Sequence, residues 1–332
     1  MPKPSSFWSR REFLRTLAIG AGSAGVIPAV ISRPAAGRTT DRVRLTYARG
    51  GLTLIAKERG ELDKRLSKEG IKVEWVGPFP NHAPTLQAVT GGSADFSFGG
   101  STTPALAAII AGAPLVFTQF YHYDPRTTAI IARKDTGIET VKDLIGKTVA
   151  VNRSGLGEFL LIAALEKHGI ERSKVNAIYL NPPDAATALA AGKIDAWAMW
   201  SPAVDIARVE YQARDVFNEG RDLNFAVDYS SFLTSRDFAA ANPDLVRAVN
   251  AAFAAEGAWA SANVRESEEI SQQAGQYKDE VRDYFIGLKR QYRFYAVNDT
   301  SFVTRLQTAA DWLTDRSILT ERITVAGHVA RL

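Results

Sequence analysis

Six short segments place glycine, hydroxyl and amide residues where an apolar run ends and the next element begins. They are Arg49-Gly50-Gly51, Phe79-Pro80-Asn81-His82, Gly99-Gly100-Ser101-Thr102-Thr103, Asn152-Arg153-Ser154-Gly155-Leu156-Gly157, Asn181-Pro182-Pro183-Asp184 and Trp200-Ser201-Pro202. Most of them lead into a helix. A helix start offers unpaired N–H groups and the positive end of the peptide dipoles, which together attract anions. The hydroxyls of Ser101, Thr102, Thr103 and Ser154 add donors suited to a tetrahedral oxyanion. Taken singly, each segment also reads as an ordinary N-cap or turn; the chemical argument rests on several of them meeting in one cleft. Arg49 and Arg153 are the cationic candidates, though either can equally be a surface charge. Glu158 stands early in its helix, where it can cap the helix end, and it would repel an anion placed too near. Tyr121, Trp200, Phe79 and Tyr229 can line an apolar wall for an organic tail, or simply fill the core.

Catalytic patterns are absent from the sequence. The four histidines, His82, His122, His168 and His328, are far apart and show no metal-ligand spacing. The serine of Ser154-Gly155-Leu156-Gly157 lacks the preceding glycine of a nucleophile elbow. Leu160 stands where a phosphate loop would carry its last glycine. The chain has no cysteine, so disulfides, thiolate nucleophiles and cysteine-held metals are excluded.

The elements around these segments alternate. Strands are expected over 43–48, 71–76, 95–98 and 115–121, with helices over 52–66, 85–90 and 103–111 between them. The pattern restarts with strands over 129–133, 148–152, 177–180, 196–200 and 215–217, and with helices from Leu156 and over 184–191. Leu156, Phe159, Leu160, Ala163 and Ala164 put one apolar face on the first of these helices. After a strand over 231–234, the rest reads as helix. Strands alternating with helices imply parallel βαβ units. The order is one lobe, a complete second lobe, and a return to the first. The predicted boundaries are 41–123 plus 229–332 for lobe 1 and 124–228 for lobe 2. Crossings near 122–128 and 224–229 would form a hinge beside a cleft. A plain two-domain α/β enzyme fits the same alternation.

The first forty residues read as an export signal. Ser9-Arg10-Arg11-Glu12-Phe13-Leu14-Arg15 has the form of a twin-arginine signal, and residues 16–32 follow it without a charge. That run is too short and too rich in helix breakers for a membrane span. Cleavage is expected within 29–40. The segment carries six basic groups and one acid of the chain's 40 and 36, so 34 stand against 35 in the remainder, a net charge of −1. Nucleic acid is therefore not an expected partner.

The chain resembles the solute-binding proteins of ABC transporters for aliphatic sulfonates, within the nitrate, sulfonate and taurine group. The segments that carry the resemblance are Val73-Glu74-Trp75-Val76-Gly77-Pro78-Phe79-Pro80, Gly92-Ser93-Ala94-Asp95-Phe96, Gly99-Gly100-Ser101-Thr102-Thr103-Pro104, Val149-Ala150-Val151-Asn152-Arg153-Ser154-Gly155, Gly157-Glu158-Phe159-Leu160-Leu161, Tyr179-Leu180-Asn181-Pro182 and Ile194-Asp195-Ala196-Trp197-Ala198-Met199-Trp200. The resemblance implies an α/β fold of the two-lobed periplasmic-binding-protein kind (type II). Each lobe would be a mixed sheet flanked by helices, and two crossing strands would join them. It implies a small organic anion in the cleft and a permease with its ATPase as partners; the export signal adds the twin-arginine translocase and a periplasmic location, a route on which the chain departs from many relatives, and no cofactor and a monomer are expected. Taurine, nitrate, or an enzyme on the same scaffold (a desulfinase or a pyrimidine-precursor synthase) stay open. The expected ligand contacts are Gly50, Gly51, Asn81, His82, Ser101, Thr102, Tyr121, Gly155, Leu156, Gly157, Glu158, Trp200 and Tyr229. The anion is expected between 101–103 and the helix start at 155–157, with Gly155 and Gly157 keeping side chains clear of it.

Overall fold

The computed structural model describes residues 40–97, 99–153, 155–223 and 228–332. Apart from Thr40, the predicted export segment lies outside these, as do Ser154 and most of the predicted second crossing. The elements run β1 (Arg42–Ala48), α1 (Leu52–Arg59), α2 (Glu61–Ser67), β2 (Lys72–Phe79), α3 (His82–Thr90), β3 (Gly100–Ser101), α4 (Thr102–Ile110), β4 (Leu115–Asp124), β5 (Ala129–Ala132), β6 (Thr148–Val151), α5 (Leu156–Lys167), β7 (Asn176–Tyr179), α6 (Pro182–Ala190), β8 (Ala196–Met199), α7 (Ala203–Glu210), β9 (Arg214–Asn218) and α8 (Glu219–Asp222). They continue with β10 (Ser230–Ser235), α9 (Arg236–Ala241), α10 (Pro243–Ala262), α11 (Val264–Gly275), α12 (Asp279–Leu288), β11 (Gln291–Ala296) and α13 (Thr300–Asp315).

A five-stranded sheet in the order β7-β6-β8-β5-β9 is built wholly from the middle of the chain. The flanking stretches build the other body: a parallel pair β1-β2 and an antiparallel sheet β11-β4-β10-β3. Phe96 joins these two by bridging Leu45. Its carbonyl accepts from Thr46 N, and the next residue, Ser97, donates to the Leu233 carbonyl at 2.9 Å. Of the strand expected over 95–98, the described residues 95–97 form a single bridge, at Phe96.

Three further expectations change. The helix over 52–66 is two helices, since Gly60 takes the left-handed conformation (φ 66°) and its N–H closes on Ala56. The C-terminal third contains β11, whose aromatic residues pair with β4 in the register Tyr292↔Tyr123 and Phe294↔Tyr121. Helix α5 is buried on every side from Leu156 to Leu165 instead of along one face.

The burial of α5 has a tertiary cause. Helix α13 crosses from one body to the other. Near its start, Phe302 packs on Phe120 and Tyr229, with ring centroids 4.5 and 4.6 Å apart. Near its end, Trp312 meets Phe159 of α5 at 4.5 Å, and Arg316 Nε pairs with Glu166 at 2.8 Å. The chain then returns to β4, where Ala330 N donates to the Phe117 carbonyl. One continuous apolar cluster therefore runs through both bodies, including Leu106, Phe120, Phe159, Leu160, Phe302 and Leu313. Each of these side chains gains about 1.5–3 kcal/mol from leaving water.

Candidate functional site

The carboxyl ends of the parallel strands β1, β2, β6, β7 and β8 face one another across a cleft of about 1370 Å³. This is the crevice where open α/β sheets bind ligands. Gly50, Gly51, Asn81, His82, Ser101, Tyr121 and Tyr229 line it from one body, and Leu156, Tyr179 and Trp200 from the other. The bodies touch across it: a Cβ built on Gly50 would stand 3.2 Å from Cγ of Pro202. Four expected contacts, Thr102, Gly155, Gly157 and Glu158, are not on its wall.

The helix starts that open here differ in what already occupies them. At α4 the place of an anion is taken by the carboxylate of Asp228. Thr102 N donates to its Oδ1 at 2.9 Å and Tyr229 N at 2.8 Å, and the hydroxyls of Ser101 and Thr102 also donate to it. Burial pushes this carboxyl above its usual range, against the pull of those four bonds. At α5, Asn152 Oδ1 accepts from Gly157 N at 2.9 Å. The glycines there answer to packing: a Cβ on Gly157 would lie 2.4 Å from the Ala198 carbonyl oxygen, and one on Gly155 would collide with the Asn152 amide. Helix α6 opens with Pro182 and Pro183, which have no N–H to offer. Helices α1 and α3 begin at Gly51 and Asn81, and neither residue supplies a side-chain cap. Residues of both helix starts line the cleft, as does Arg49.

His82 and Tyr121 hold the wall in place. The carbonyl of Ser101 can only accept, so His82 Nδ1 donates to it at 2.8 Å, and Nε2 faces the Ser97 hydroxyl at 3.2 Å. Burial pushes this imidazole down to about 4. The Tyr121 hydroxyl donates to the Gly99 carbonyl at 3.0 Å, and its ring covers Gly99 so closely that no Cβ would fit there. On the facing side, Glu158 accepts from the Tyr179 hydroxyl at 2.7 Å, and the Arg153 guanidinium lies 3.9 Å over the Tyr179 ring. Glu158 itself is buried behind the cleft-lining Tyr179 and is not on the cleft wall.

Sequence reasoning missed Asp228, Asn152 and Arg126. Arg126 lines the cleft at the first crossing and pairs with buried Glu219 at 2.9 Å. Asp228 had no signal, because its partners at Ser101 and Thr102 are more than a hundred residues away. Asn152 stood in a quoted segment, five residues before the N–H that it caps. Among the described residues, no group of three or more His, Asp or Glu could hold a metal ion, and no helix is long and apolar enough to cross a membrane.

Comparison with known proteins agrees with this architecture. A protein of Escherichia coli (strain K12) named for aliphatic sulfonates binding is 31% identical over 231 residues, covering 69% of this chain and 70% of that protein. The alkanesulfonate-binding protein SsuA from Xanthomonas axonopodis pv. citri, solved bound to MOPS, superimposes with a TM-score of 0.80 at 26% identity, covering 88% of this chain and 99% of that one. The desulfurization enzyme DSZB shares the fold at a TM-score of 0.63 and 17% identity, covering 87% of this chain and 96% of that one. The family model described as NMT1/THI5 like matches residues 56–266. The chain, a two-lobed α/β protein with its cleft at the strand ends, belongs to the NMT1/THI5-like family.

Proposed function

We propose that this chain is an exported solute-binding protein of an ABC importer, and that it takes an aliphatic sulfonate into the cleft between its lobes. The observation that carries the reading is that residues from the starts of α1 and α3, with Arg49, line the same cleft as the apolar side chains of Leu156, Trp200 and Pro202. A sulfonate needs several N–H donors and no proton transfer, and its hydrocarbon tail needs an apolar wall. Leu156, Trp200, Pro202 and Tyr229 supply that wall. The names of the relatives from Escherichia coli and Xanthomonas support the same ligand class. The ligand is held and handed on unchanged, as the binding-protein names of those relatives suggest. The lobes divide at 41–123 plus 229–332 against 124–228. The protein works as a monomer in the periplasm, reaches it by the twin-arginine route, and delivers to a membrane permease driven by its ATPase.

The test is thermal unfolding of the purified protein with sulfonates from ethanesulfonate to octanesulfonate, alongside taurine, nitrate and sulfate. At a hundred times its dissociation constant, a ligand adds about 2.7 kcal/mol. Alkanesulfonates should stabilise strongly and sulfate little, since sulfate has no tail for the apolar wall. Strong stabilisation by taurine or nitrate alone would overturn the sulfonate reading, and turnover of a bound sulfonate would overturn the transport reading.

A further inference from the structure

Arg290 stands at the entry to β11, in the body built from both ends of the chain, yet its side chain bonds to residues of the other body. Its Nη2 donates to Asp205 Oδ2 at 3.0 Å and to the hydroxyl of Ser201. Asp205, in the first turn of α7, is completely buried. Its remaining partners are the Thr127 hydroxyl at 3.0 Å and the Arg208 guanidinium. Arg208 continues the network to Asp215 at 2.7 Å and to the Thr127 carbonyl at 2.8 Å. The rings of Phe285 and Tyr123 close over the Arg290 guanidinium at 4.7 and 5.1 Å. One nitrogen of Arg290 thus holds both ends of the turn that runs from Ser201 through Pro202 to Asp205.

Stability alone gives little reason for a guanidinium here. Exchanging a buried ion pair for apolar groups is often neutral or favourable. A guanidinium does supply directed donors in a rigid plane, which fix the position of whatever accepts from them. Ser201 and Pro202 line the cleft, and Pro202 is the residue that meets Gly50 across it. Gly50 belongs to the same body as Arg290. The two facing walls of the cleft are therefore both referenced to that body, one through the β1–α1 loop and the other through Arg290.

We propose that Arg290 is a positioning residue for ligand binding: through the Ser201 hydroxyl and Asp205 it sets how far Trp200-Ser201-Pro202 stands from Gly50, and so how completely the cleft closes on a ligand. The proposal rests on the reading that this cleft takes a small organic anion. It gives the Ser201 hydroxyl a role although that hydroxyl is spent on Arg290, and it makes the Arg290–Ser201 bond one that is felt in affinity more than in folding.

Calorimetric titration with pentanesulfonate, thermal unfolding and small-angle scattering of Ser201→Ala, Arg290→Lys and Arg290→Met test this. Ser201→Ala keeps the Arg290–Asp205 pair, so its Tm should stay within about 2 °C of wild type. Its affinity for pentanesulfonate should fall about tenfold. Its unliganded radius of gyration should rise, because the wall is no longer held. Arg290→Lys, which keeps a charge but loses the planar fork, should recover part of the affinity lost in Arg290→Met. Wild-type affinity in both Ser201→Ala and Arg290→Lys would overturn the proposal. So would an affinity loss in Arg290→Met that merely tracks its Tm, with scattering unchanged. Should wild type fail to bind pentanesulfonate, the sulfonate reading falls; scattering of the unliganded variants still decides the role of Arg290, and identical curves for all three and wild type would end it.

Discussion

Arg126 Nη2 donates to the main-chain carbonyl of Asp228 at 2.7 Å, and this bond ties the first crossing between the lobes to the second. The Asp228 carboxylate faces the other way, into the start of α4, so the second crossing is fixed at both its carbonyl and its side chain. The donors that the sequence offers for a ligand at Ser101 and Thr102 are bonded to this carboxylate.

That arrangement predicts the behaviour of Asp228→Ala. The variant would leave two N–H groups and two hydroxyls without their acceptor. Each buried unsatisfied group costs about 1–3 kcal/mol, so the loss should be at least about 3 kcal/mol in urea unfolding. Added sulfate should restore part of it by entering the vacated donors. If sulfate stabilises wild type and variant alike, Asp228 is not standing in for an anion.

His82 predicts a pH dependence. Its imidazole is neutral in the folded protein, with its titration pushed down to about 4 by burial. The unfolded chain takes up this proton at an ordinary value of about 6.5. Between these values the unfolded state binds more protons, so stability is complete above about pH 6.5 and is lost as pH falls towards 4, by on the order of 3 kcal/mol. His82→Asn keeps a donor for the Ser101 carbonyl but cannot titrate. Its stability should fall less than that of wild type between pH 7 and pH 4.5; equal slopes would remove His82 from the account.

Gly157→Ala should be costly for a structural reason. The new methyl would be forced against the Ala198 carbonyl and the Asn152 amide that caps α5. Overpacking of this kind costs about 1–3 kcal/mol. Denaturation curves should show the loss with no ligand present. A variant as stable as wild type would return this glycine to the role first expected of it, keeping room for a ligand.

Leu156→Asp tests the second lobe's share of the site. Leu156 lines the cleft in the first turn of α5, where an acid is favourable to the helix dipole. Leu156 is also buried, so the acid should lower stability; in the fraction that circular dichroism shows to be folded, affinity for an alkanesulfonate should fall about tenfold or more, a loss of about 1.4 kcal/mol. Undiminished binding would show that this helix start is not near the anion.

Export can be tested apart from binding. With Arg10 and Arg11 both changed to lysine, the chain should remain in the cytoplasm, because a twin-arginine receptor reads paired guanidinium groups. Normal accumulation of the double variant in the periplasm would sink that route.

The alternation of strands and helices, the restart after β4 and the strand-end loops were legible in the sequence, because hydrophobic period and turn residues are local properties. Gly50, Gly51, Asn81 and Leu156 could be placed on the cleft for the same reason: each ends a strand or starts a helix. The state of each helix start was decided only by tertiary structure. Asp228 reaches Ser101 and Thr102 across more than a hundred residues, whereas Gly51 and Asn81 give their own helix starts no side-chain cap. Strand β11 and the complete burial of α5 were hidden likewise, since the first depends on β4 and the second on α13. Local pattern says which backbone groups a segment can offer. Which of them remain free for a ligand depends on what distant parts of the chain bring to them, and a buried carboxylate will take any donors it reaches, because leaving either partner unsatisfied costs more than the bond itself contributes.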